Sequence, residues 1–174
     1  MSNRSYSIET SLGELAAAVA ELLPGGRLER QAVPGAGGLE LYLLNPDFAQ
    51  LDLPAEQVLR IMENPLYWVF CWASGQVLAT CLHEFPEWVA GRRVLDFGSG
   101  SGAVAIAAAL AGAREVIACD SDPLARQAIG LNADLNGVDL GIAGDLAEVQ
   151  CALDCIDPAR AGSRGRRARR QPGC

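Results

Sequence analysis

The chain has 174 residues, half of them hydrophobic and a fifth charged, with a formal net charge of −7. That length suits one compact domain with a core of its own, and the apolar share excludes a disordered polypeptide over most of it. All 14 basic residues are arginine and six of them lie in the last fifteen positions, so residues 1–159 carry 8 arginines against 21 acids, a net of −13, ahead of a +6 tail. A body that acidic repels phosphate backbones, and no nucleic-acid partner is expected for it.

No apolar run approaches the ~20 residues that span a bilayer, and the opening MSNRSYSIET lacks the basic-then-apolar order of a signal peptide. The expectation is a cytoplasmic protein with no membrane partner. Of the six cysteines (Cys71, Cys81, Cys119, Cys151, Cys155, Cys174) only Cys151 and Cys155 are close in sequence, no CxxC pair exists, and the single histidine, His83, is remote from them. No metal site is expected on that spacing.

Leu12, Leu15, Ala16, Val19, Leu22 and Leu23 recur at helical spacing, which predicts an amphipathic helix from Ser11 to Leu23, stopped by Pro24-Gly25-Gly26. Leu28–Val33 and Leu39–Leu44 are short β-prone runs around Pro34-Gly35-Ala36-Gly37-Gly38, a hairpin with a loose loop. Pro54 reads as the first residue of a helix reaching about Glu63, since proline costs little where the backbone donor has no helical partner. Tyr67, Trp68, Phe70 and Trp72 then pack four of the ten aromatics into six positions, ahead of a turn at Ala73-Ser74-Gly75 and a helix from Gln76 to Glu84 on which His83 is a polar surface position.

From Val94 the pattern becomes strand, glycine turn, helix. Val94–Phe97 is a short apolar strand containing Asp96, Gly98-Ser99-Gly100-Ser101-Gly102 a loop, and Ala103–Leu110 an apolar helix closed by Gly112. Val116–Asp120 is a second buried strand, Asp122-Pro123 the cap and first residue of a helix running to about Asn136 with Gly137 as its stop, and Val138–Ile142 a third strand ended by Gly144-Asp145. Strands alternating with helices predict an α/β, Rossmann-like, doubly wound parallel sheet, here with an N-terminal helix and hairpin extension.

A glycine turn that feeds a helix lets backbone N–H groups approach a ligand closely. Asp120, about 20 residues beyond the loop at the end of the second strand, is placed to accept hydrogen bonds from ribose hydroxyls. A dinucleotide loop written G-x-G-x-x-G would put its third glycine at Ala103, a departure that some such loops tolerate. Asp96 weighs against that ligand: two residues before the first glycine it would repel a pyrophosphate, whereas it can accept from an ammonium group. S-adenosyl-L-methionine carries an ammonium and a ribose and no phosphate. The bland role for Asp96 is to cap a helix or brace the turn.

Val94-Leu95-Asp96-Phe97-Gly98-Ser99-Gly100-Ser101-Gly102 resembles the first motif of the class I, seven-β-strand S-adenosylmethionine-dependent methyltransferases. Cys119–Ala125 with Leu131–Val138 is similar to the branch holding ribosomal protein L11 methyltransferase, and Pro65–Gln76 to the electron transfer flavoprotein β-subunit lysine methyltransferases. The resemblance covers roughly Asn64 to Asp145. It implies that Gly98, Ser99 and Gly100 line the methionine part of the cofactor, that Asp96 meets its amino group and Asp120 its ribose, that Asp145 approaches the adenine amino group, and that Trp72 closes over the cofactor. It also implies a protein substrate of the flavoprotein β-subunit type, with a ribosomal protein or a small molecule as the alternative acceptor. No residue stands out as catalytic, and nothing in the sequence specifies an oligomeric state.

The organisation expected is an extension over 1–63, a cofactor-binding core over 64–154 that lacks the family's later strands, and an arginine-rich disordered tail over 155–174. Cys151–Ile156 begins like a fourth strand and Asp157-Pro158 breaks it. The absence of lysine points to GC-rich coding, in which a shifted frame yields Arg, Ala, Gly and Pro, so the chain is expected to be truncated or to leave its native frame near Asp154. A catalytically inactive fragment is therefore the alternative to an active enzyme. Sequencing the locus tests the frame, and an intact, in-frame gene encoding the same tail overturns it.

Overall fold

The computed structural model describes residues 3–48 and 53–150. The possible fourth strand at Cys151–Ile156 and the arginine-rich tail lie outside them. No helix of the described residues is long and apolar enough to cross a membrane.

Helix α1 spans Asn3–Leu22 and buries Leu15 and Val19, with Leu23 just past its end. It starts eight residues earlier than the apolar pattern predicts, because no glycine or proline interrupts the polar stretch before Leu12 and a helix propagates through such residues once nucleated. Strands β1 (Leu28–Ala32) and β2 (Glu40–Leu44) form the hairpin, antiparallel from Leu28↔Leu44 to Ala32↔Glu40. In its connection Gly37 has φ +62, and a Cβ there would lie 2.3 Å from His83 Nδ1, so the exposed histidine packs on bare backbone. Helix α2 (Ala55–Glu63) buries none of its residues.

A 3₁₀ turn at Tyr67–Val69 buries Trp68 and Val69, and helix α3 follows over Ala73–Glu84. The turn expected at Ala73-Ser74-Gly75 is in fact the first turn of α3: Trp72 caps it and its carbonyl accepts from the Gln76 N–H at 2.9 Å. The first N–H groups of a helix have no intrahelical acceptor, so a glycine there costs less than one mid-helix.

The core is β3 (Arg93–Phe97), α4 (Ala103–Leu110), β4 (Glu115–Cys119), α5 (Pro123–Leu135) and β5 (Gly141–Ala143), whose strands form a parallel sheet in the order β3-β4-β5. The register runs Arg93↔Glu115 to Phe97↔Cys119 and Ile117↔Gly141 to Cys119↔Ala143. Strand β5 begins three residues later than the sequence pattern predicts, because Val138 is used to finish α5. Gly137 (φ +68) donates to the Asp134 carbonyl at 3.2 Å and Val138 to that of Ala133 at 3.0 Å, a Schellman ending that needs a left-handed residue at Gly137. At the other end of α5, Asp122 accepts from the Leu124 N–H at 2.8 Å and Pro123 is the first helical residue, the cap its sequence position predicts. Asp122→Ala is expected to cost about 1 kcal/mol, read as a lower denaturant midpoint with an unchanged slope.

Val116 and Ala118 of β4 pack with α4, α5, α3 and the hairpin's Leu39, Leu41 and Leu43, while Leu44 joins Leu15, Val19, Trp68 and the α5 residues Ala125, Ala128 and Leu131. The hairpin thus feeds both main clusters of the core. Asn132 of α5 and Asn136, which caps that helix, also hold the hairpin's outer edge. Asn132 accepts from the Tyr42 N–H at 2.8 Å, and Asn136 accepts from the Glu40 N–H at 3.1 Å and donates to the Glu40 carbonyl at 2.7 Å, replacing the partner strand that β2 lacks on that side. On the opposite face of the sheet Ile117, Cys119 and Ala143 cluster with Val149. Among the described residues β3 pairs only with β4, and Leu95 and Phe97 on it are exposed.

Candidate cofactor-binding site

The glycine loop is dictated residue by residue. Gly98, Gly100 and Gly102 have φ of +74, +54 and +83, and Ser99 and Ser101 between them are buried. A backbone that enters the left-handed region at every second position requires the alternation G-S-G-S-G, since each side chain placed there is strained. A Cβ on Gly102 would also meet Ile106 and Ile129 at 3.4 Å, so that glycine lets α4 and α5 pack closely. The N–H groups of Gly98 and Ser99 both donate to the Cys119 carbonyl, at 2.8 and 3.1 Å, which pins the loop to the end of β4.

Two carboxylates flank this loop. Asp96 Oδ2 accepts from the Ser99 hydroxyl at 2.6 Å and from the Ala105 N–H at 3.1 Å, so the acid braces the turn and satisfies an orphan donor in the first turn of α4. Burial pushes its carboxyl above the ordinary carboxylate range, and the nearby Asp120 adds to that, against the two hydrogen bonds. Asp120 Oδ2 accepts from the Gly100 N–H at 2.8 Å and Oδ1 from the Asp122 N–H at 3.0 Å, while its own N–H donates to the Ala143 carbonyl at 3.0 Å. An ionised carboxylate has about four lone-pair sites, so each of these acids keeps capacity for a ligand.

The loop separates two cavities. One, of about 260 Å³, is lined by Asp96, Gly98, Ser99, Gly100 and Trp72 together with Phe70 and Leu78. The other, of about 620 Å³, is lined by Gly98, Gly100, Asp120 and Trp72 together with Tyr67 and Trp68. Trp72 and the two glycines are common to both. Its indole is half exposed, donates to the Tyr67 carbonyl at 3.0 Å and sits against the rings of Phe70 and Tyr67 at centroid distances of 5.6 and 6.1 Å. Six of the seven residues singled out from the sequence therefore meet here. Asp145 lines neither cavity. It accepts from the Glu148 N–H at 2.8 Å and caps the helical turn over residues 146–150, while Glu148 accepts from the Gly144 N–H.

The lining discriminates between the two nucleotide ligands considered from sequence. Among the described residues no arginine lines either cavity, and Asp96 lines one and Asp120 the other. A ligand with an ammonium and a ribose finds an acceptor for each in these two carboxylates. The open, Cβ-free loop and these two acceptors fit S-adenosylmethionine.

Residues 77–156 match the protein family described as ribosomal protein L11 methyltransferase (PrmA). The chain is 50% identical over 72 residues to the electron transfer flavoprotein beta subunit lysine methyltransferase of Rattus norvegicus, covering 41% of this chain and 28% of that one. It is 47% identical over 88 residues to the Danio rerio protein of the same name (51% and 31% covered). It is 39% identical over 106 residues to the ribosomal protein L11 methyltransferase of Halorhodospira halophila (60% and 35% covered). Over the matched region the chain is thus similar to methyltransferases of two named kinds, one directed at ribosomal protein L11 and one at a flavoprotein β subunit.

The chain spans about a third of the length of these relatives. Among the described residues the sheet of the core holds three parallel strands, with the glycine loop at the carboxyl end of β3. Two residues at or behind this loop were not singled out from the sequence. Trp68 lines the larger cavity, fully buried, and its indole N–H has no hydrogen-bond partner among the described residues. Asn132 lines neither of these two cavities but reaches the loop from behind, donating to the Ser101 carbonyl at 2.8 Å.

Proposed function

We propose that this chain is the cofactor-binding part of a protein-lysine N-methyltransferase acting on a flavoprotein β-subunit-type substrate, with residues 64–154 as the core and 1–63 as an extension that buttresses it. The observation that carries the cofactor assignment is the glycine loop with an acid on each side, Asp96 in one cavity and Asp120 in the other. The lysine acceptor rests on the 50% identity to the flavoprotein-directed relatives.

S-adenosylmethionine supplies an electrophilic methyl group on a sulfonium. Asp120 and the loop orient the nucleoside end, Asp96 the amino-acid end, and Trp72, which borders both cavities, shields the junction from water. Displacement from a sulfonium is in-line, so alignment of the acceptor amine and exclusion of water are the protein's main contributions. The acceptor lysine must lose its proton before it can attack. The acidic surroundings attract the cationic side chain, and its ammonium proton passes to solvent water before the neutral amine attacks. Residue Asp145 enters this proposal as a contact to the adenine only if the 146–150 turn it caps closes toward the larger cavity.

Calorimetric titration of the full chain with S-adenosylmethionine, followed by methyl transfer to a flavoprotein β subunit and to a ribosomal protein, tests the proposal. Saturable binding at one site with transfer to the flavoprotein subunit is the expected result. Transfer to the ribosomal protein alone assigns the acceptor to the second branch, which the family match over residues 77–156 favours. Binding without transfer assigns an inactive fragment, and tighter binding of NAD overturns the cofactor assignment.

A further inference from the structure

We propose that Asn132 is a positioning residue that fixes the glycine loop from behind and ties it to the hairpin, an inference that rests on the loop's being the cofactor site. Asn132 is fully buried in α5, on the stripe that includes Ala125, Ala128 and Ile129. A buried primary amide is retained only when its donors and acceptor are used, and this one spans two elements remote in sequence. Its Oδ1 accepts from Tyr42 of β2, and its Nδ2 donates to the carbonyl of Ser101, both at 2.8 Å.

The second of these bonds bears on the site. Ser101 lies between Gly100 and Gly102, two of the loop's three glycines, and its carbonyl would otherwise be buried without a donor. By anchoring that peptide, Asn132 holds the loop in the shape that presents the Gly100 N–H to Asp120 at 2.8 Å and the Gly102 N–H to the Ser99 carbonyl at 2.8 Å. An apolar residue of equal size would fill the space and leave both Ser101 and Tyr42 unpaired. A site is as exact as the shell that supports it, and loops rich in glycine depend on that shell most.

Asn136, one turn along α5, provides the control. It binds the same hairpin strand through both the Glu40 N–H and carbonyl and makes no bond to the loop. Asn132→Ala and Asn136→Ala should therefore both lower Tm, while only the first should disturb the site. The test is amide hydrogen exchange on the full chain without ligand, read at Gly100 and Gly102, together with S-adenosylhomocysteine titration below the melting range of every variant. Asn132→Asp, which keeps the shape and the acceptor for Tyr42 but loses the donor to Ser101, is the second variant and covers the case in which Asn132→Ala does not fold.

Expected are faster exchange at both glycines and about tenfold weaker S-adenosylhomocysteine binding in the Asn132 variants, with Asn136→Ala within about twofold of the parent chain in both readouts. Equal effects from Asn132→Ala and Asn136→Ala would mean that the clamp serves stability alone and would overturn the proposal. Unchanged loop exchange in Asn132→Asp overturns it as well. If the parent chain does not bind S-adenosylhomocysteine at all, the cofactor reading fails, and the exchange comparison still decides whether Asn132 orders the loop.

Discussion

Asp120→Ala is expected to lower the affinity for S-adenosylhomocysteine by at least about a hundredfold and to destabilise the unliganded chain by about 2 kcal/mol. The ligand effect follows from the loss of an ionised acceptor for two hydroxyls, since hydrogen bonds to charged groups are worth roughly 1.5–3 kcal/mol each. The effect on the free protein follows from the two donors that Asp120 already serves. The Gly100 N–H, at 2.8 Å, belongs to the loop, and the Asp122 N–H, at 3.0 Å, to the entrance of α5. Both lose their acceptor in the alanine variant, and because both are only part-buried, water recovers some of the loss. Asp120→Asn keeps one acceptor oxygen and turns an NH₂ toward the other donor, so it should fall between alanine and the parent chain in stability while still losing most of the affinity. A calorimetric Kd for Asp120→Ala within threefold of the parent value would remove Asp120 from the site, whatever its effect on Tm.

This double use of one carboxylate shows why the sequence was legible where it was. Asp120 and the glycines occupy positions at which the backbone leaves little choice: three left-handed residues in alternation can hardly be anything but glycine, and the acid follows the strand that the loop is pinned to. Asp122-Pro123 announces α5 for the same local reason. The misread boundaries are those at which a residue serves two elements. Val138 has the β-branched character of a strand and is spent on the end of α5, so β5 starts only at Gly141. Gly75 has the character of a turn and sits in the first helical turn of α3.

The least legible features are the long-range ones. That the hairpin would be clamped to α5 through Tyr42 and Glu40 depends on contacts about 90 residues apart in sequence, which no local pattern encodes. A signal was nevertheless present. Ala125, Ala128 and Ile129 with Asn132 follow the i, i+3, i+4, i+7 spacing of a buried helical face, and a polar residue on such a face needs a partner across the interface. Asp145 was visible as an acid after the third strand, but with Glu148 three residues later it also reads as the start of a helix, and the hydrogen bonds follow that pattern.

Asp96 is expected to make ligand affinity depend on pH in a way that identifies the group it meets. Burial is the main cause that lifts its carboxyl above the ordinary value of 3.8, with Asp120 adding to the lift and the Ser99 and Ala105 hydrogen bonds opposing it. The folded chain therefore holds this proton more tightly than the unfolded chain does. The resulting contribution to stability is fully present below the unfolded pKa and is lost as pH rises through the folded one, so Asp96→Asn should flatten the stability curve across that window. An ammonium docked beside Asp96 acts in the opposite direction: it favours the carboxylate, lowers its pKa and expels the proton on binding. Affinity for S-adenosylhomocysteine should then fall as pH drops through the ligand-free pKa of Asp96, by up to tenfold per pH unit for one proton, with proton release seen as a buffer-dependent binding enthalpy. Methylthioadenosine, which has the ribose and lacks the ammonium, should show neither effect. Asp96→Asn should accordingly weaken S-adenosylhomocysteine by at least about tenfold, the scale of one charge-assisted hydrogen bond, and leave methylthioadenosine nearly unchanged. Equal losses for the two ligands would mean that Asp96 serves only to brace the Ser99 turn and the start of α4, because a loop disturbed in that way binds every nucleoside less well.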